Sequence, residues 1–355
     1  MNDLLNTQKR ILVTGGSGFI GGALIRNLLR RTDNYIFNLD KMGYASDTSQ
    51  IEELFLERPK LNDRYSFYQV DLADETFLSN CMTDIDPDII FHLAAESHVD
   101  RSIWDPRIFL KSNIVGTFNL LEAARKHWEK LSATRKDNFR FHHVSTDEVF
   151  GSLGEKGAFS ELTPYSPRSP YSASKASSDH LVQAWHHTFG LPVLITNCSN
   201  NFGPWQFPEK LIPVAIMKAL DSGQIPMYGN GQNVRDWLFV EDHIEALMLV
   251  VKSGNIGSSY CIGGHGQKTN HEVLVSICNK LDRLKPLKFP YEKLITSVTD
   301  RPGHDFRYAI DSTLISNELG WKPRFSFEEA LSMTVEWYVE NISWVKYHQK
   351  SIKNK

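Results

Sequence analysis

The sequence has little cysteine. Its 355 residues include four cysteines, which are widely spaced and stand in apolar or mixed runs: Cys81, Cys198, Cys261 and Cys278. No two of them have the Cys-x-x-Cys spacing of zinc sites and redox dithiols. We therefore expect buried, reduced thiols with no metal or redox role.

The sequence also lacks a charge excess and any long apolar run. Its 42 acidic and 39 basic residues give a formal net charge of -3, so no broad basic field would attract nucleic acid or an anionic membrane. No apolar run approaches the roughly 20 residues of a membrane span, and the segment up to Arg10 is polar where a signal peptide is apolar. We expect a cytoplasmic protein with a small-molecule partner, and neither nucleic acid nor a membrane as partner.

Adjacent histidines occur twice, as His142-His143 and His186-His187. Neighbouring side chains point to opposite faces of a strand and diverge by about 100° on a helix, which is poor geometry for one ion. We predict no metal site.

Strand-length apolar segments alternate with helical stretches over the first two hundred residues. The predicted strands are Arg10–Thr14, Tyr35–Leu39, Tyr65–Val70, Ile89–Leu93, Phe139–Val144 and Val193–Asn197, and the clearest predicted helices are Ala23–Arg31, Asn113–Glu129 and Ala173–Phe189. This alternation predicts an α/β fold, with a Rossmann-type doubly wound parallel sheet.

The pattern becomes less regular beyond about Asn200. Loops rich in proline, glycine and aromatic residues are expected at Phe202–Pro208, Pro226–Asn233 and Thr299–His304. We predict a larger domain over residues 1–199, with a returning segment near 230–258. Residues 200–355 are predicted to form mainly a smaller, mixed α/β C-terminal lobe for the substrate.

The first predicted strand runs directly into a glycine turn, Thr14-Gly-Gly-Ser-Gly-Phe-Ile-Gly-Gly22. Gly15, Gly18 and Gly21 let the backbone approach a pyrophosphate closely, and the following helix aims its N-terminus at the anion. Three glycines alone also occur in ordinary tight turns. The strand before them and the helix after them favour a dinucleotide site in the larger domain.

Asp40 ends the second predicted strand, where a carboxylate accepts hydrogen bonds from ribose hydroxyls and repels a 2′-phosphate. NAD is therefore favoured over NADP, although the adjacent Lys41 could offset that repulsion. Asp71, after the third strand, is a candidate adenine contact, and a solvated turn is the alternative.

Tyr171 and Lys175 are four residues apart at the start of a helix, so their side chains share one face. A lysine there can lower the pKa of the phenol and make it a base for a hydroxyl proton. The alternative is an ordinary surface pair, because this spacing is common by chance.

Val144-Ser-Thr-Asp-Glu-Val149 places a hydroxyl and two carboxylates at the end of an apolar strand. Ligands bind at this edge of open α/β sheets, so Asp147 and Glu148 are candidates for an acid and a base. The alternative is a turn or capping role for Asp147 and solvent exposure for Glu148.

Five motifs in order resemble the nucleotide-sugar 4,6-dehydratases of the extended short-chain dehydrogenase/reductase superfamily. They are the glycine turn, Ser145-Thr-Asp-Glu148, Tyr171-x-x-x-Lys175, Asn200-Asn-Phe-Gly-Pro204 and Arg301-Pro-Gly-His304, and the resemblance runs from about Arg10 to about Trp337. Within the family, the branch that acts on dTDP-glucose is the most similar.

The resemblance implies bound NAD, a nucleotide-sugar substrate and a set of site residues. The implied catalytic residues are Thr146, Asp147, Glu148, Tyr171 and Lys175. The implied cofactor contacts are Gly15, Gly18, Phe19, Ile20, Gly21, Asp40, Lys41, Asp71, Leu72, Leu93, Ala94, Ala95, Ser97, Ser145, Tyr171, Lys175 and Asn200. The implied substrate contacts are Ser97, His98, Thr146, Asn201, Glu209, Lys210, Leu211, Pro213, Tyr228, Arg235, Asn270, Arg301 and His304. For Arg235 the alternative is an ion pair with its neighbour Asp236.

By the same resemblance, the sugar is oxidised at carbon 4, loses water across carbons 5 and 6, and is reduced at carbon 6. The alternatives are UDP- or CDP-glucose as substrate, a nucleotide-sugar 4-epimerase, and a non-catalytic NAD-sensing module. The Asp147-Glu148 pair counts against an epimerase, and Asp40 counts against an NADP-dependent GDP-mannose dehydratase.

The predicted helices that begin near Asn113 and Ala173 carry apolar residues on more than one face. The family pairs through these helices, so we expect a homodimer.

Overall fold

The computed structural model describes residues 5, 7–300 and 305–353, with the side chains beyond 348 excepted. Twelve strands are found in this part of the chain: β1 (Arg10–Thr14), β2 (Tyr35–Asp40), β3 (Tyr65–Gln69), β4 (Ile89–His92), β5 (Arg140–Thr146), β6 (Val193–Cys198), β7 (Asn200–Phe202), β8 (Ile225–Tyr228), β9 (Val234–Phe239), β10 (Ser259–Ile262), β11 (Gln267–Thr269) and β12 (Ile295–Val298).

The α-helices of the described chain number fourteen: α1 (Phe19–Arg31), α2 (Ser49–Glu57), α3 (Glu75–Ile85), α4 (Val99–Trp104), α5 (Pro106–Phe109), α6 (Gly116–Trp128), α7 (Ala133–Asn138), α8 (Pro170–Phe189), α9 (Leu211–Leu220), α10 (Val240–Ser253), α11 (Asn270–Leu284), α12 (Thr313–Leu319), α13 (Phe327–Glu340) and α14 (Ile342–Lys353).

The main sheet has seven strands in the order β10-β6-β5-β4-β1-β2-β3. Every neighbouring pair is parallel. The chain moves outward from β1 to β3 and then continues on the other side of β1 with β4, so the strand order reverses between these two strands. Ligands bind at the carboxyl ends of strands at such a reversal point. The predicted doubly wound parallel sheet is confirmed.

Helices cover both faces of this sheet. Apolar side chains of α1, α2 and α10 form one core that continues into the C-terminal lobe. Side chains of α3, α6 and α8 form a second core on the opposite face. The central strands β1, β4, β5 and β6 are buried almost throughout, which explains their near-continuous apolar runs in the sequence.

Helix starts differ from those expected. Helix α8 begins at Pro170, three residues before the predicted start, because Ser169 caps it in a reciprocal arrangement with Ser172. Tyr171 therefore lies in the first helical turn. Likewise α1 begins at Phe19, and α6 begins at Gly116 after the π-helical stretch Leu110–Val115.

The C-terminal lobe is built on two small sheets, β11-β9-β7 and β12-β8. Two of the expected loops were partly wrong, because Phe202 ends β7 and Pro226 lies within β8. Proline is compatible with β8, which pairs along one side with β12 in parallel register.

The chain returns to the main sheet through α10 and β10. Helix α10 packs against α1, and β10 extends the sheet beyond β6. The returning strand thus starts at Ser259, just after the segment expected near 230–258, while β9 at the start of that segment belongs to the lobe.

Within the described ranges, no helix combines the length and apolar character that crossing a membrane requires.

Candidate active site

A cavity of about 520 Å³ lies at the carboxyl edge of the main sheet, where the C-terminal lobe faces it. One end is lined by the segments that follow β1, β2, β3 and β4, and we call it the cofactor half. The other end is lined by residues of α9, β8, β9 and α11, and we call it the substrate half. The ends of β5 and β6 and the start of α8 lie between the two halves.

The glycine turn forms the floor of the cofactor half. Gly15 has a φ of +71°, and a Cβ on it would lie 2.6 Å from the Ala94 amide nitrogen. A Cβ on Gly21 would overlap the Gly15 carbonyl oxygen. Among the described residues no side chain caps α1, and its first turn carries no acid. The turn is therefore a backbone cradle with a helix N-terminus behind it, which fits the pyrophosphate of a dinucleotide.

Asp40 lies at the end of β2 and lines the same half. Its Oδ1 accepts hydrogen bonds from the Met42 amide at 2.8 Å and the Ser46 hydroxyl at 2.9 Å, and its Oδ2 accepts one from the Ser17 amide at 3.1 Å. A carboxylate has about four acceptor positions, so one remains for a ribose hydroxyl.

The position of Lys41 does not weaken the preference for NAD over NADP. Its Nζ donates to Glu96 Oε1 at 2.6 Å and to Ser112 Oγ at 2.8 Å. Because Glu96 neutralises this cation, little of its charge is left to offset the repulsion between Asp40 and a 2′-phosphate.

Between the halves, Asp147 is almost fully buried at the end of β5, next to half-buried Glu148. Burial, together with the Glu148 and Asp236 carboxylates, raises the pKa of Asp147 well above its usual range. This shift favours the protonated form of Asp147, which can donate a proton. The alternative of a turn or capping role does not describe Asp147, since Thr146 provides the side-chain oxygen that accepts a hydrogen bond from the Glu148 amide.

Tyr171 lines the cavity beside these carboxylates, and Lys175 lies one turn further along α8. The expected lowering of the phenol pKa is wrong for the protein alone. Burial and the Glu148 carboxylate raise the pKa of Tyr171 well above its usual range, while a hydrogen bond with Thr146 opposes them. The Lys175 ammonium donates to the Val144 carbonyl at 2.9 Å.

Arg235 is the buried cation of the substrate half. Its guanidinium donates to the carbonyls of Val234 at 2.7 Å and Asp305 at 2.9 Å, and lies 4.4 Å from the Tyr308 ring centroid. The alternative of an ion pair with Asp236 is wrong. Successive residues of β9 point to opposite faces, and Asp236 instead accepts the amides of Gly264 and Gly266.

Loops from both halves meet near His98. Tyr44, from the segment after β2, donates to Glu209 Oε1 at 2.9 Å, and the Arg101 guanidinium lies 3.7 Å from the Tyr44 ring centroid. Lys210 donates to the Ser97 carbonyl at 3.1 Å. These contacts join the cofactor loop to the segment before α9.

The cavity brings together most of the residues predicted for a site. All the predicted catalytic and cofactor residues line it, as do the predicted substrate residues Ser97, His98, Thr146, Asn201, Glu209, Lys210, Leu211, Tyr228, Arg235 and Asn270. Pro213 is buried in α9 and does not line it, whereas its neighbours Ile212 and Val214 do. Arg301 and His304 lie outside the described residues.

Several lining residues were not predicted, notably Tyr44, Glu96, Gln206 and Trp237. Trp237 follows Arg235 by two residues on one strand, so the period of a strand could have indicated it. Tyr44, Glu96 and Gln206 come from loops and carry no comparable signal.

His142 and His143 each have a partner within the protein. His142 Nε2 lies 3.1 Å from Thr196 Oγ1, and His143 Nε2 lies 3.1 Å from Asp179 Oδ1. The described residues contain no group of three or more histidine, cysteine, aspartate or glutamate side chains arranged to hold an ion.

Comparison with known proteins agrees with this description of the site. The family model described as GDP-mannose 4,6 dehydratase matches residues 12–334. The chain is 52% identical over 342 residues to a dTDP-glucose 4,6-dehydratase of Neisseria meningitidis serogroup B, covering 95% of each protein. It is 50% identical over 345 residues to a dTDP-glucose 4,6-dehydratase of Salmonella typhimurium, covering 95% of this chain and 94% of that protein.

A solved structure is also similar. DesIV, a dTDP-glucose 4,6-dehydratase from Streptomyces venezuelae crystallised with NAD bound, superposes with a TM-score of 0.86 at 39% identity. The match covers 95% of this chain and 99% of that one. The matched family model spans the glycine turn, the Asp147-Glu148 pair and the Tyr171/Lys175 pair. The chain belongs to the family of nucleotide-sugar 4,6-dehydratases.

Proposed function

We propose that the chain is an NAD-dependent lyase that converts dTDP-glucose to dTDP-4-keto-6-deoxyglucose and water. The observation that carries this proposal is the placement of buried Asp147, whose raised pKa favours the protonated form, beside Glu148 in one cavity with Tyr171. An oxidoreductase or 4-epimerase needs the Tyr171/Lys175 pair but no acid and base for elimination. The pair of carboxylates therefore favours a dehydratase.

The glycine turn, Asp40 and Lys175 would hold the cofactor. Backbone amides of the turn and of α1 would bind the pyrophosphate, and Asp40 has an acceptor position for the adenosine ribose. When bound, NAD supplies a hydride acceptor that also returns the hydride, so it is not consumed.

Tyr171 and Thr146 act in the oxidation at carbon 4. Tyr171 accepts the proton of the 4-hydroxyl as the carbon is oxidised, and Thr146 holds the same hydroxyl. Because the pKa of Tyr171 is raised in the protein alone, the phenolate depends on positive charge supplied when the site is filled. Lys175 contributes such charge from the next turn of α8.

Asp147 and Glu148 act in the elimination. The new ketone acidifies the carbon 5 proton, which Glu148 removes, while Asp147 donates its proton to the departing carbon 6 hydroxyl. Glu148 then returns its proton to carbon 5 as carbon 6 is reduced.

Thr146 can pass the proton that Tyr171 gained to Asp147, which lost one. After one turnover Tyr171 holds the proton of the 4-hydroxyl, and Asp147 has lost one to water. The Thr146 hydroxyl donates to Asp147 Oδ1 at 3.3 Å and shares a hydrogen bond with Tyr171. Transfer along this short chain restores both groups.

The substrate half suits a nucleoside diphosphate. The Arg235 guanidinium is buried and planar, and its fork can bind phosphate oxygens. Asn270 at the start of α11 and Tyr228 at the end of β8 line the same half. We assign residues 1–199 with α10 and β10 to cofactor binding, and the rest of the lobe mainly to the nucleotide sugar.

The test is incubation with dTDP-glucose, followed by the alkaline absorbance of a 4-keto-6-deoxy product. UDP-glucose and CDP-glucose are run beside it to establish the preferred base. We expect the largest kcat/KM with dTDP-glucose. An absence of product with all three sugars would contradict the dehydratase proposal, and equal rates would contradict the thymidine preference.

We also propose a homodimer that pairs through α4, α5, α6 and α8. Large apolar side chains are exposed along this surface, including Trp104 with 92% exposure, Leu110, Val115 and Phe118. A concentration of large exposed apolar side chains on neighbouring helices is typical of an interface.

Light scattering should give twice the chain mass, and Trp104→Asp should shift the equilibrium toward monomer. Leu162→Asp is the control, since Leu162 has 91% exposure but lies outside these helices. A stable wild-type monomer would contradict the dimer.

A further inference from the structure

Asp179 is a buried carboxylate that none of these catalytic steps uses. It lies on α8 four residues after Lys175, so both side chains share one face of the helix. Lys175 is 4% exposed and lines the cavity, whereas Asp179 is 1% exposed and lies behind it. A charged group in such a position requires partners.

Three donors from different parts of the chain hold the Asp179 carboxylate. Its Oδ2 accepts hydrogen bonds from Ser145 Oγ at 2.8 Å, Tyr165 Oη at 2.9 Å and Asn197 Nδ2 at 3.3 Å. Burial raises the pKa of Asp179 above its usual value, and the Lys175 ammonium and these three donors, which favour the ionised form, oppose that increase. The three donors also fix its position relative to the ends of β5 and β6.

His143 lies between Asp179 and Lys175. Its Nε2 is 3.1 Å from Asp179 Oδ1 and 3.4 Å from Lys175 Nζ. In a neutral imidazole this nitrogen can donate to Asp179 or accept from Lys175 but not both, and the ammonium in addition donates to the Val144 carbonyl.

The other titratable groups facing Lys175 are neutral near pH 7. Burial lowers the pKa values of His92 on β4 and His143 on β5 well below the usual range. Burial raises the pKa of Cys198 at the end of β6 to about 12. In the described chain, Asp179 is thus the anion that acts on Lys175.

We propose that Asp179 is a positioning residue for the oxidation step, a buried counter-ion that keeps the Lys175 ammonium charged beside the cofactor half. The inference rests on the proposed function, in which that charge favours the Tyr171 phenolate. Burial lowers the pKa of Lys175, and the Asp179 carboxylate opposes the decrease. The acid-base pair at Asp147 and Glu148 does not depend on it.

The test compares wild type with Asp179→Asn in two measurements across pH: NAD affinity by fluorescence titration, and kcat for dTDP-glucose. Without the carboxylate, Lys175 loses its proton at lower pH. We expect the alkaline decline of both quantities to move down by about one pH unit or more. With substrate deuterated at carbon 4, the isotope effect on kcat should increase, because oxidation becomes slower than elimination.

Two variants separate charge from packing. Asp179→Glu keeps the charge and should restore at least half of the pH shift. Tyr165→Phe removes one donor to the carboxylate but leaves Asp179 in place, and its pH profile should match wild type. Superimposable profiles for Asp179→Asn and wild type, or an equal shift in Tyr165→Phe, would overturn the proposal.

Wild type provides a measurement that needs no variant. If Asp179 holds Lys175 charged, NAD affinity should persist above neutral pH, and a loss already at about pH 6, where unpaired buried lysines titrate, would overturn the proposal. The NAD titrations require no sugar. They therefore remain decisive for Asp179 even if the protein fails to dehydrate dTDP-glucose.

Discussion

The two halves of the cavity are built in different ways. The cofactor half is formed largely by backbone, with the glycine turn after β1 and the small residues after β4 in contact with each other. The substrate half is formed by side chains such as Arg235, Tyr228 and Asn270, which come from short elements of the C-terminal lobe. Binding by backbone depends on local conformation, whereas binding by side chains depends on how distant segments pack.

The residues between the halves combine both properties. Asp147 and Glu148 follow β5 directly, so their place at the sheet edge is local. The protonation of Asp147, however, depends on its burial, on Glu148 and on Asp236 of β9. The chemistry therefore arises where a locally determined strand end is covered by a distant segment.

The largest effect is expected for Glu148→Gln. The amide cannot remove the carbon 5 proton, so kcat should fall by roughly a thousandfold, the middle of the range for losing a general base. Oxidation at carbon 4 should continue, and a reduced cofactor should accumulate and be visible by its absorbance. Stopped-flow absorbance with dTDP-glucose measures the turnover rate and the accumulation of reduced cofactor.

Tyr171→Phe is the matched comparison for Glu148→Gln. It should lose a similar factor in kcat without accumulating reduced cofactor, because the first proton transfer is removed. Turnover at the wild-type rate in Glu148→Gln would exclude its role as the base.

A smaller effect, on the cofactor half, is expected for Gly15→Ala. The new Cβ would lie 2.6 Å from the Ala94 nitrogen at a φ of +71°, so the turn must shift away from the pyrophosphate. We expect NAD affinity to fall by roughly a hundredfold, as backbone strain and a lost anion contact together cost a few kcal/mol. Fluorescence titration with NAD measures this affinity.

The control for this change is Gly154→Ala. A Cβ on Gly154 has nothing within 4 Å, and its backbone is not left-handed. An equal loss of NAD affinity in both variants would mean that the glycine turn is not the anion site.

The contrast between local conformation and the packing of distant segments also explains how much of the fold and of the site could be predicted from the sequence. The parallel sheet, the glycine turn and the common face of Tyr171 and Lys175 all follow from short-range patterns, and the structure agrees with them. The pKa of Tyr171 was predicted in the wrong direction, because the nearby Glu148 charge and the burial of the phenol depend on tertiary packing.

Predictions for the lobe were less complete for a related reason. Pro226 suggested a loop, yet an edge position in β8 accepts it. Asp236 seemed a natural partner for Arg235, but adjacent strand residues face apart and Asp236 caps the loop after β10. Tyr44 and Glu209 meet across a separation of 165 residues, which no local pattern reports.

The smallest of these effects is expected in the substrate half, for Arg235→Gln. The amide retains a donor but loses the positive fork, so KM for dTDP-glucose should rise by about tenfold or more, in line with a lost charged hydrogen bond. NAD affinity should be unchanged, since Arg235 lies in the other half. Arg30→Gln is the control, because Arg30 forms an exposed pair with Glu57 far from the cavity. Initial rates over a range of sugar concentrations, with NAD titrations beside them, measure both quantities. A loss of NAD affinity in Arg235→Gln would mean that the two halves are coupled rather than separate.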